Sequence, residues 1–576
     1  MLALALSPTA SASPLTTLRH DGAAVTREDP YLPAAGDLPR MRARSGAPAP
    51  SAASATSLRA GAGAARAPRR TVRSELDHML AAAAIDQATY DARLATYADA
   101  RRLLRKLRGA RRAALGAVLG NLDAIAARGD LNASRLPELF ETVARNREWW
   151  ARGPLLSYGR RVSFQGSPLV WQYYTGEGLQ IQWLGTFGKA NALWQSGTHD
   201  DDLRALLDAA LPLTAQRAGG IAFEYLFDFD GGRPPWVSGL AQGTAIQALS
   251  RAAVRLHEPR YFEAARAALG VFREPPPSGV RAATAIGAHY LIYSFAPGLR
   301  VLNAFTQSIN GLHDFALLAN DAEGKALFAA GEAELRAELP AYDTGAWSRY
   351  SLHREADLSY HKLARDFLGN LCERLEEDAV RPAPGAAAGA APTGGAVPGV
   401  TPPPAPAPPA GAPPAPAPAG ATPRPASTAV AAAATPPPAP AAPPAPAAPA
   451  PPGVTPPPPA PAPPADPSPY CAAASRFSRY LRQPPAISLV SRRARAGRRA
   501  VLKLALSKPS YVKLAVLRGR RTVAVLAARL PSGRRYLVWS RPRSAATYTV
   551  LLRATDLAGN VGSARGELEV RRARHR

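Results

Sequence analysis

Between Trp236 and Leu371 the chain carries tyrosines set among short motifs. They are WVSGLAQG (236–243), VLNAF (301–305), LPAYDTG (339–345), and then Tyr350 and Tyr360, the second followed by His361. A phenol donates a proton near neutral pH and becomes a base once nearby positive charge lowers its pKa from ~10. His353 and Arg354 stand between the last two tyrosines, so proton transfer is chemistry these residue types allow. The plainer alternative is tyrosine at helix ends, packed in a core with its hydroxyl at the rim. Upstream, residues 164–190 are dense in aromatics, and Trp171, Tyr173, Tyr174 and Trp183 could stack on the apolar faces of sugar rings or simply fill a core. The Gly176–Gly178 pair lacks the spacing and the strand–helix setting of a nucleotide loop. Cys372 and Cys471, on opposite sides of a proline-rich tract, define neither a disulfide framework nor a metal site and read as unrelated thiols.

In their order and rough spacing these motifs resemble the C-terminal helical domain of the D-glucuronyl C5-epimerases, over about 200 of the 576 residues. The resemblance implies cofactor-free, metal-free removal and return of the C5 proton of uronic acid residues in a polysaccharide. That proton is weakly acidic because the adjacent carboxylate resists further negative charge. An enzyme must therefore neutralise the carboxylate and hold a base close to C5, with a second donor on the opposite face. By resemblance Tyr350 and Tyr360 form the acid/base pair and Tyr293 is a third phenol in the cleft. His353 and Arg354, in swapped order relative to the family, would bind the carboxylate, while Asn303, Tyr342 and Asp343 would shape the site by hydrogen bonding. There are departures: Leu291 and Ile292 stand where the family has acidic residues, and Ser351 replaces an aspartate. A polysaccharide lyase sharing the first step, and an inactive glycan-binding cell-surface protein, remain open alternatives.

The elements that must position these residues follow from periodicity and composition. Residues 1–71 read as a signal-like leader, with Ala10-Ser11-Ala12 at a cleavage-like position, and a disordered arm; an Ala-rich leader without a signal is the alternative. From Val72, apolar residues recur at three- and four-residue steps through Leu115, Val118, Leu119, Leu122 and Ile125. The stretch 101–112 (RRLLRKLRGARR) reads as a solvated helix face rather than a phosphate site. Residues 164–190 suggest strands or loops over a cleft mouth, and FEYLFDFDGG (223–232) a hairpin. Amphipathic segments recurring through 189–376 make 72–380 an α/α toroid, a helical barrel with a cleft at one end. Residues 381–469 hold 35 of the 60 prolines and read as a disordered Pro/Ala linker, a spacer extending at about 3.1 Å per residue. Short alternating strands make 470–576 an Ig-like β-sandwich, with Asp556 and Asn560 as turn residues. The expected fold class is thus mostly α, with an all-β module at the C-terminus.

Charge is concentrated in that module. From Cys471 onward, 25 Lys and Arg face 3 acidic residues, which accounts for +22 of the chain's +27. Such a module suits an anionic polymer, a cell-wall polyanion or acidic glycan; nucleic acid is not expected, since no recognition motif is present. No run of 18 apolar residues occurs to span a membrane. The combination reads as a bacterial protein, secreted or attached to the cell surface.

Overall fold

A computed structural model describes residues 13–33, 70–380, 467–540 and 542–572. The leader up to residue 12, most of the arm (34–69) and the Pro/Ala-rich tract 381–466 lie outside the described residues. The apolar steps after Val72 become four helices, α1 (Val72–Ala81), α2 (Gln87–Lys106), α3 (Gly109–Arg128) and α4 (Leu136–Arg152). Their ends carry ordinary stop and start signals: Thr71 and Ser74 cap α1 reciprocally, Asp86 caps α2, and Gly129 closes α3 in the left-handed region. Leu115, Val118, Leu119, Leu122 and Ile125 form the buried face of α3.

These helices cover a five-stranded sheet of β1 (Ser13–Leu18), β2 (Ala24–Asp29), β3 (Arg161–Phe164), β4 (Ser167–Tyr174) and β5 (Gly178–Ile181), ordered β2-β1-β3-β4-β5. Part of the arm expected to be disordered is therefore an ordered hairpin. Its Leu15 and Leu18 turn inward, and Thr17 bonds to Ser163 of β3 at 2.8 Å. The Ala/Ser/Pro bias of the flanking residues concealed this alternation. Beyond the hairpin, Asp29 pairs with Lys189 at 2.7 Å and Leu32 is fully buried. The aromatic stretch is only half strand: from Trp183 it is helix α5 (Trp183–Ser196), started by the Gln182 side chain accepting from the Gly185 amide. Trp171 and Trp183 are core residues with no exposure.

Helices α6 (Asp200–Ala210), α7 (Gly239–Arg255), α8 (Arg260–Ala267), α9 (Gly270–Arg273), α10 (Leu302–Leu318), α11 (Ala322–Glu338) and α12 (Leu358–Val380) complete the helical region. The WVSGLAQG motif is a tight helix start, with Ser238 capping α7 at the Ala241 amide. Its Gly243 lets α7 touch α10: a Cβ there would stand 2.7 Å from the Ser308 Cα, and one on Gly311 would stand 2.0 Å from the Gly243 carbonyl. Two short strands, Glu224–Tyr225 and Trp236–Val237, pair as the expected hairpin.

After the Pro/Ala-rich tract the chain begins not with a strand but with helix α13 (Ser468–Tyr480). Eight strands follow in two sheets of three and five, enclosing one apolar core that includes Leu502, Leu514, Val550 and Leu568. Asp556 turns the chain, accepting from the amides of Ala558 and Asn560, and is paired with the buried Lys508 at 2.9 Å.

Helix α13 packs on the helical region. Tyr470 donates to Glu332 at 2.7 Å, Arg476 pairs with Asp343 at 2.8 Å, and Lys508 donates to the Tyr480 carbonyl at 2.7 Å. Cys372 of α12 and Cys471 of α13 form a disulfide, 99 residues apart in sequence. The expectation of unrelated thiols is thereby overturned, and so is that of a spacer holding its flanks apart, because the segments on either side of the tract are joined. Sequence distance hid the pairing; the packing of α13 on α12 brings the two Cα atoms to 5.0 Å.

Closing so long a loop restricts the unfolded chain, so reduction should cost about 3 to 5 kcal/mol. The denaturant midpoint of the full chain should fall accordingly with reductant, or in Cys372→Ser/Cys471→Ser. The chain should still unfold cooperatively, since the polar contacts of α13 remain. Equal midpoints would remove the disulfide as a stabilising element.

Candidate active site

Helices α5, α7, α10 and α12, roofed by β3, β4 and the 224–237 hairpin, surround a cavity of about 350 Å³. Each contributes side chains for a local reason. Asn303 lies in the first turn of α10, and Tyr360 in that of α12, where the Asp357 carboxylate accepts from the Tyr360 amide at 2.8 Å. Tyr293 follows the short strand Ala288–Tyr290 and stacks on Phe295 with ring centroids 5.1 Å apart.

Tyr293, Tyr350 and Tyr360, distant in sequence, meet in one apolar cluster with Leu240, Ile292 and Val301. The rings of Tyr350 and Tyr360 are 4.6 Å apart, and the Arg354 guanidinium lies 4.2 Å from the Tyr350 ring centroid. Tyr293, Tyr360 and Asn303 line the cavity, whereas Tyr350 stands behind Tyr360 and is not among the lining residues. Burial pushes the Tyr350 phenol up to about 12, with Arg354 pulling against it and Asp230 and Asp357 adding to the rise. Burial also holds Tyr293 well above its ordinary value, helped by its phenolic neighbours Tyr350, Tyr360, Tyr225 and Tyr174. Positive charge thus does not win at Tyr293 or Tyr350, and both phenols are neutral at pH 7.

The remaining residues that the resemblance singles out stand elsewhere. His353 is exposed at the turn between the strands Arg349–Ser351 and Arg354–Glu355, and Arg354 is exposed beside Tyr350. Tyr342 is buried with its hydroxyl directed at Glu338 (3.4 Å), within a network that includes His289 and Arg300, and does not line the cavity. Asp343 binds Arg476 and Tyr480 of α13 instead of shaping the cleft. Leu291 is fully buried, and Ile292 forms apolar cavity wall where an acid would stand in the family.

Sequence reasoning missed the cavity's cations. Arg251 and Arg374 line it and share the Asp314 carboxylate at 2.9 and 2.6 Å. Arg161, from β3, lines it as well. An arginine in a strand or an amphipathic helix reads as a solvated residue, so nothing in the spacing signalled these three. Of the four aromatics in the upstream stretch, Tyr174 reaches the cavity; its hydroxyl accepts from Gln182, which in turn accepts from Tyr225.

His361, next to the site tyrosine, is structural. It stacks on Trp347 at 3.8 Å, accepts from the Ser348 hydroxyl (2.7 Å) at Nδ1 and donates from Nε2 to the Phe477 carbonyl (3.0 Å). The neutral ring satisfies all these partners. Burial lowers its pKa to about 4.

Fold and site define a mostly α protein with a tyrosine-lined, cation-bearing cleft and a β-rich C-terminal region. Residues 218–382 match the family model described as D-glucuronyl C5-epimerase C-terminus. A D-glucuronyl C5-epimerase of Caenorhabditis elegans is 34% identical over 145 residues, 23% of this chain and 24% of that protein. The chain thus spans about a quarter of that relative's length. Among solved structures, an endo-β-1,4-glucanase from Acetobacter xylinum is similar at 13% identity and a TM-score of 0.27, over 37% of this chain and 73% of its own. An unsaturated glucuronyl hydrolase specific for heparin is similar at 12% identity and a TM-score of 0.25, over 34% and 55%.

Because the folded chain keeps His361 neutral down to about pH 4 while the unfolded chain protonates near 6.5, the unfolded state binds more protons between those values. Stability therefore falls as pH drops through that window, by about 2 kcal/mol between pH 7 and 4.5. Urea unfolding followed by tryptophan fluorescence should show that loss, and His361→Asn should show a shallower pH dependence. Identical pH dependence in both would remove His361 as the cause.

Proposed function

We propose that this protein is a D-glucuronyl C5-epimerase-like enzyme, abstracting and returning the C5 proton of uronic acid residues in a polysaccharide. The observation that carries the reading is the convergence of Tyr293, Tyr350 and Tyr360 beside one cavity, together with the family match over the same segment. In this proposal the helical region is an α/α toroid, a reading supported by the four helices that face the cavity.

Tyr360 takes the C5 proton. It lines the cavity and stands in the first turn of α12. The C5–H bond breaks, its electron pair moves into the carboxylate as an enolate, and the proton ends on the Tyr360 oxygen. Tyr293, which lines the cavity and is kept protonated by burial, delivers a proton to the opposite face. Tyr360 then gives up the abstracted proton and Tyr293 regains one, both by exchange with solvent, while Tyr350 backs Tyr360 from behind. Asn303 hydrogen-bonds the sugar from the wall.

The disulfide supports export, since such bonds persist in oxidising compartments, and secretion or cell-surface attachment is part of the proposal. The C-terminal region, proposed as an Ig-like module, would bind an anionic polymer through its outer sheet face. There Lys513 lies directly across from Arg553 beside the exposed Tyr511, and like charges so placed repel until an anion relieves them. A second reading, an inactive glycan-binding protein, is favoured by the apolar Leu291 and Ile292.

The full chain, incubated in heavy water with uronate polysaccharides, should place deuterium at C5 and invert that centre. Tyr360→Phe should lose both signals by about 10²- to 10⁴-fold. Tyr293→Phe should still exchange deuterium from one face but lose inversion. A new ultraviolet-absorbing double bond would instead make the chain a lyase. Binding without either signal would make it the inactive protein.

A further inference from the structure

Four cations are buried among the described residues: Arg161, Arg251, Arg374 and Lys508. Three are paired with a carboxylate: Arg251 and Arg374 share Asp314, and Lys508 has Asp556. Arg161, 8% exposed, forms no ion pair. One terminal nitrogen donates to the Pro33 carbonyl, and its Nε, shielded from solvent, has no hydrogen-bond partner. A buried, uncompensated guanidinium is unfavourable, and folds seldom retain one that nothing pairs. Yet Arg161 faces the cavity together with Tyr174 and Tyr225. Burial lowers its pKa and only those two phenols act against the fall, so no acidic group supplies the missing charge. The same two phenols act on Tyr293, which acts with Tyr350 and Tyr360 in turn, so Arg161 and the proton-transfer tyrosines share one electrostatic neighbourhood.

We infer that Arg161 is the receptor for an anionic group entering the cavity, the carboxylate of the uronic acid. This deepens the epimerase reading and rests on it. Arg354, the residue expected from the sequence, is exposed and stacked on Tyr350; Arg251 and Arg374 are already occupied by Asp314. Among the described cavity-lining residues, Arg161 is the one guanidinium without a carboxylate partner. It also lies outside the segment matching the epimerase family, so carboxylate recognition would depend on the preceding sheet and on the strand carrying it. As a positioning residue it would hold the carboxylate and draw charge out of the C5–H bond as the enolate forms.

The test compares binding of a glucuronate-containing polysaccharide with that of the same polymer after carboxyl reduction, by calorimetry, for full-length wild type, Arg161→Met and Arg161→Lys. Wild type should prefer the carboxylate form by about 30-fold or more. Arg161→Met should bind both forms equally, and Arg161→Lys should recover part of the preference. The thermal midpoint of ligand-free Arg161→Met should equal or exceed that of wild type, which a purely structural arginine would not allow. If wild type prefers the uronate and Arg161→Met keeps that preference, the inference falls while the epimerase reading stands. If wild type shows no preference, both fall. Because the wild-type comparison needs no substitution, a variant that fails to fold, itself the mark of a structural arginine, would overturn the inference and leave the epimerase reading intact.

Discussion

The carboxylate of Asp314 holds the cleft in shape. It stands on α10 and receives Arg251 from α7 and Arg374 from α12, with Gln247 donating a further bond at 3.0 Å. Burial alone would raise its pKa, but Arg374 and Arg251 overcome that and keep it ionised well below the usual range. Next to it His313 is raised, its burial outweighed by Asp314 and Asp378, so the charge network extends along α12. Three helices are thus locked by one fully desolvated anion, whose removal would leave two cations without a counter-charge. The position of Tyr360 at one end of α12, and of Asn303 at one end of α10, follows from this clamp.

Helix α13 imposes a second constraint on α12. The disulfide fixes the middle of α12, and His361, one residue beyond Tyr360, is fixed to the Phe477 carbonyl. Asp343 adds a third tie through Arg476 and Tyr480. The β-rich region is thereby attached to the helical region beside the tyrosine cluster, with Lys508 5.5 Å from the Trp347 ring centroid. Asp343, which the motif comparison reads as shaping the cleft, is spent on this docking, as is His361, the residue after Tyr360. Precise placement of a phenol requires such a shell of fixed neighbours.

Where the sequence was legible, the pattern was local. Helix periodicity after Val72, the hairpin begun by residues 223–232 and the alternation of the C-terminal strands all depend on neighbours a few residues apart. The meeting of the three tyrosines was accessible only because their order resembled a known family. The Cys372–Cys471 pairing and the carboxylate clamp on Asp314 join residues 60 or more apart and leave no trace in spacing. The β1–β2 hairpin went unread because residues on both sides share a composition that suppresses periodicity. Arg161 was invisible for a different reason: alternation in β3 shows that it faces inward or outward, but not that its inward face is a cavity.

An apolar tyrosine cluster is at first an unfavourable place to remove a proton, because burial disfavours phenolate. The same desolvation strengthens every interaction with charge that enters. A uronate carboxylate brings negative charge into a wall where Ile292 provides none, and an acid at that position would have repelled it. The apolar Ile292 wall and an arginine without a carboxylate partner are therefore electrostatically consistent: each makes the cavity more favourable to an anion. In the proposed reaction, proton abstraction would rely on the Tyr360 phenol, with the substrate carboxylate neutralised at Arg161. Such a site would hold its substrate firmly and turn it over slowly, with the balance set by how far Arg161 neutralises the carboxylate before the C5–H bond begins to break.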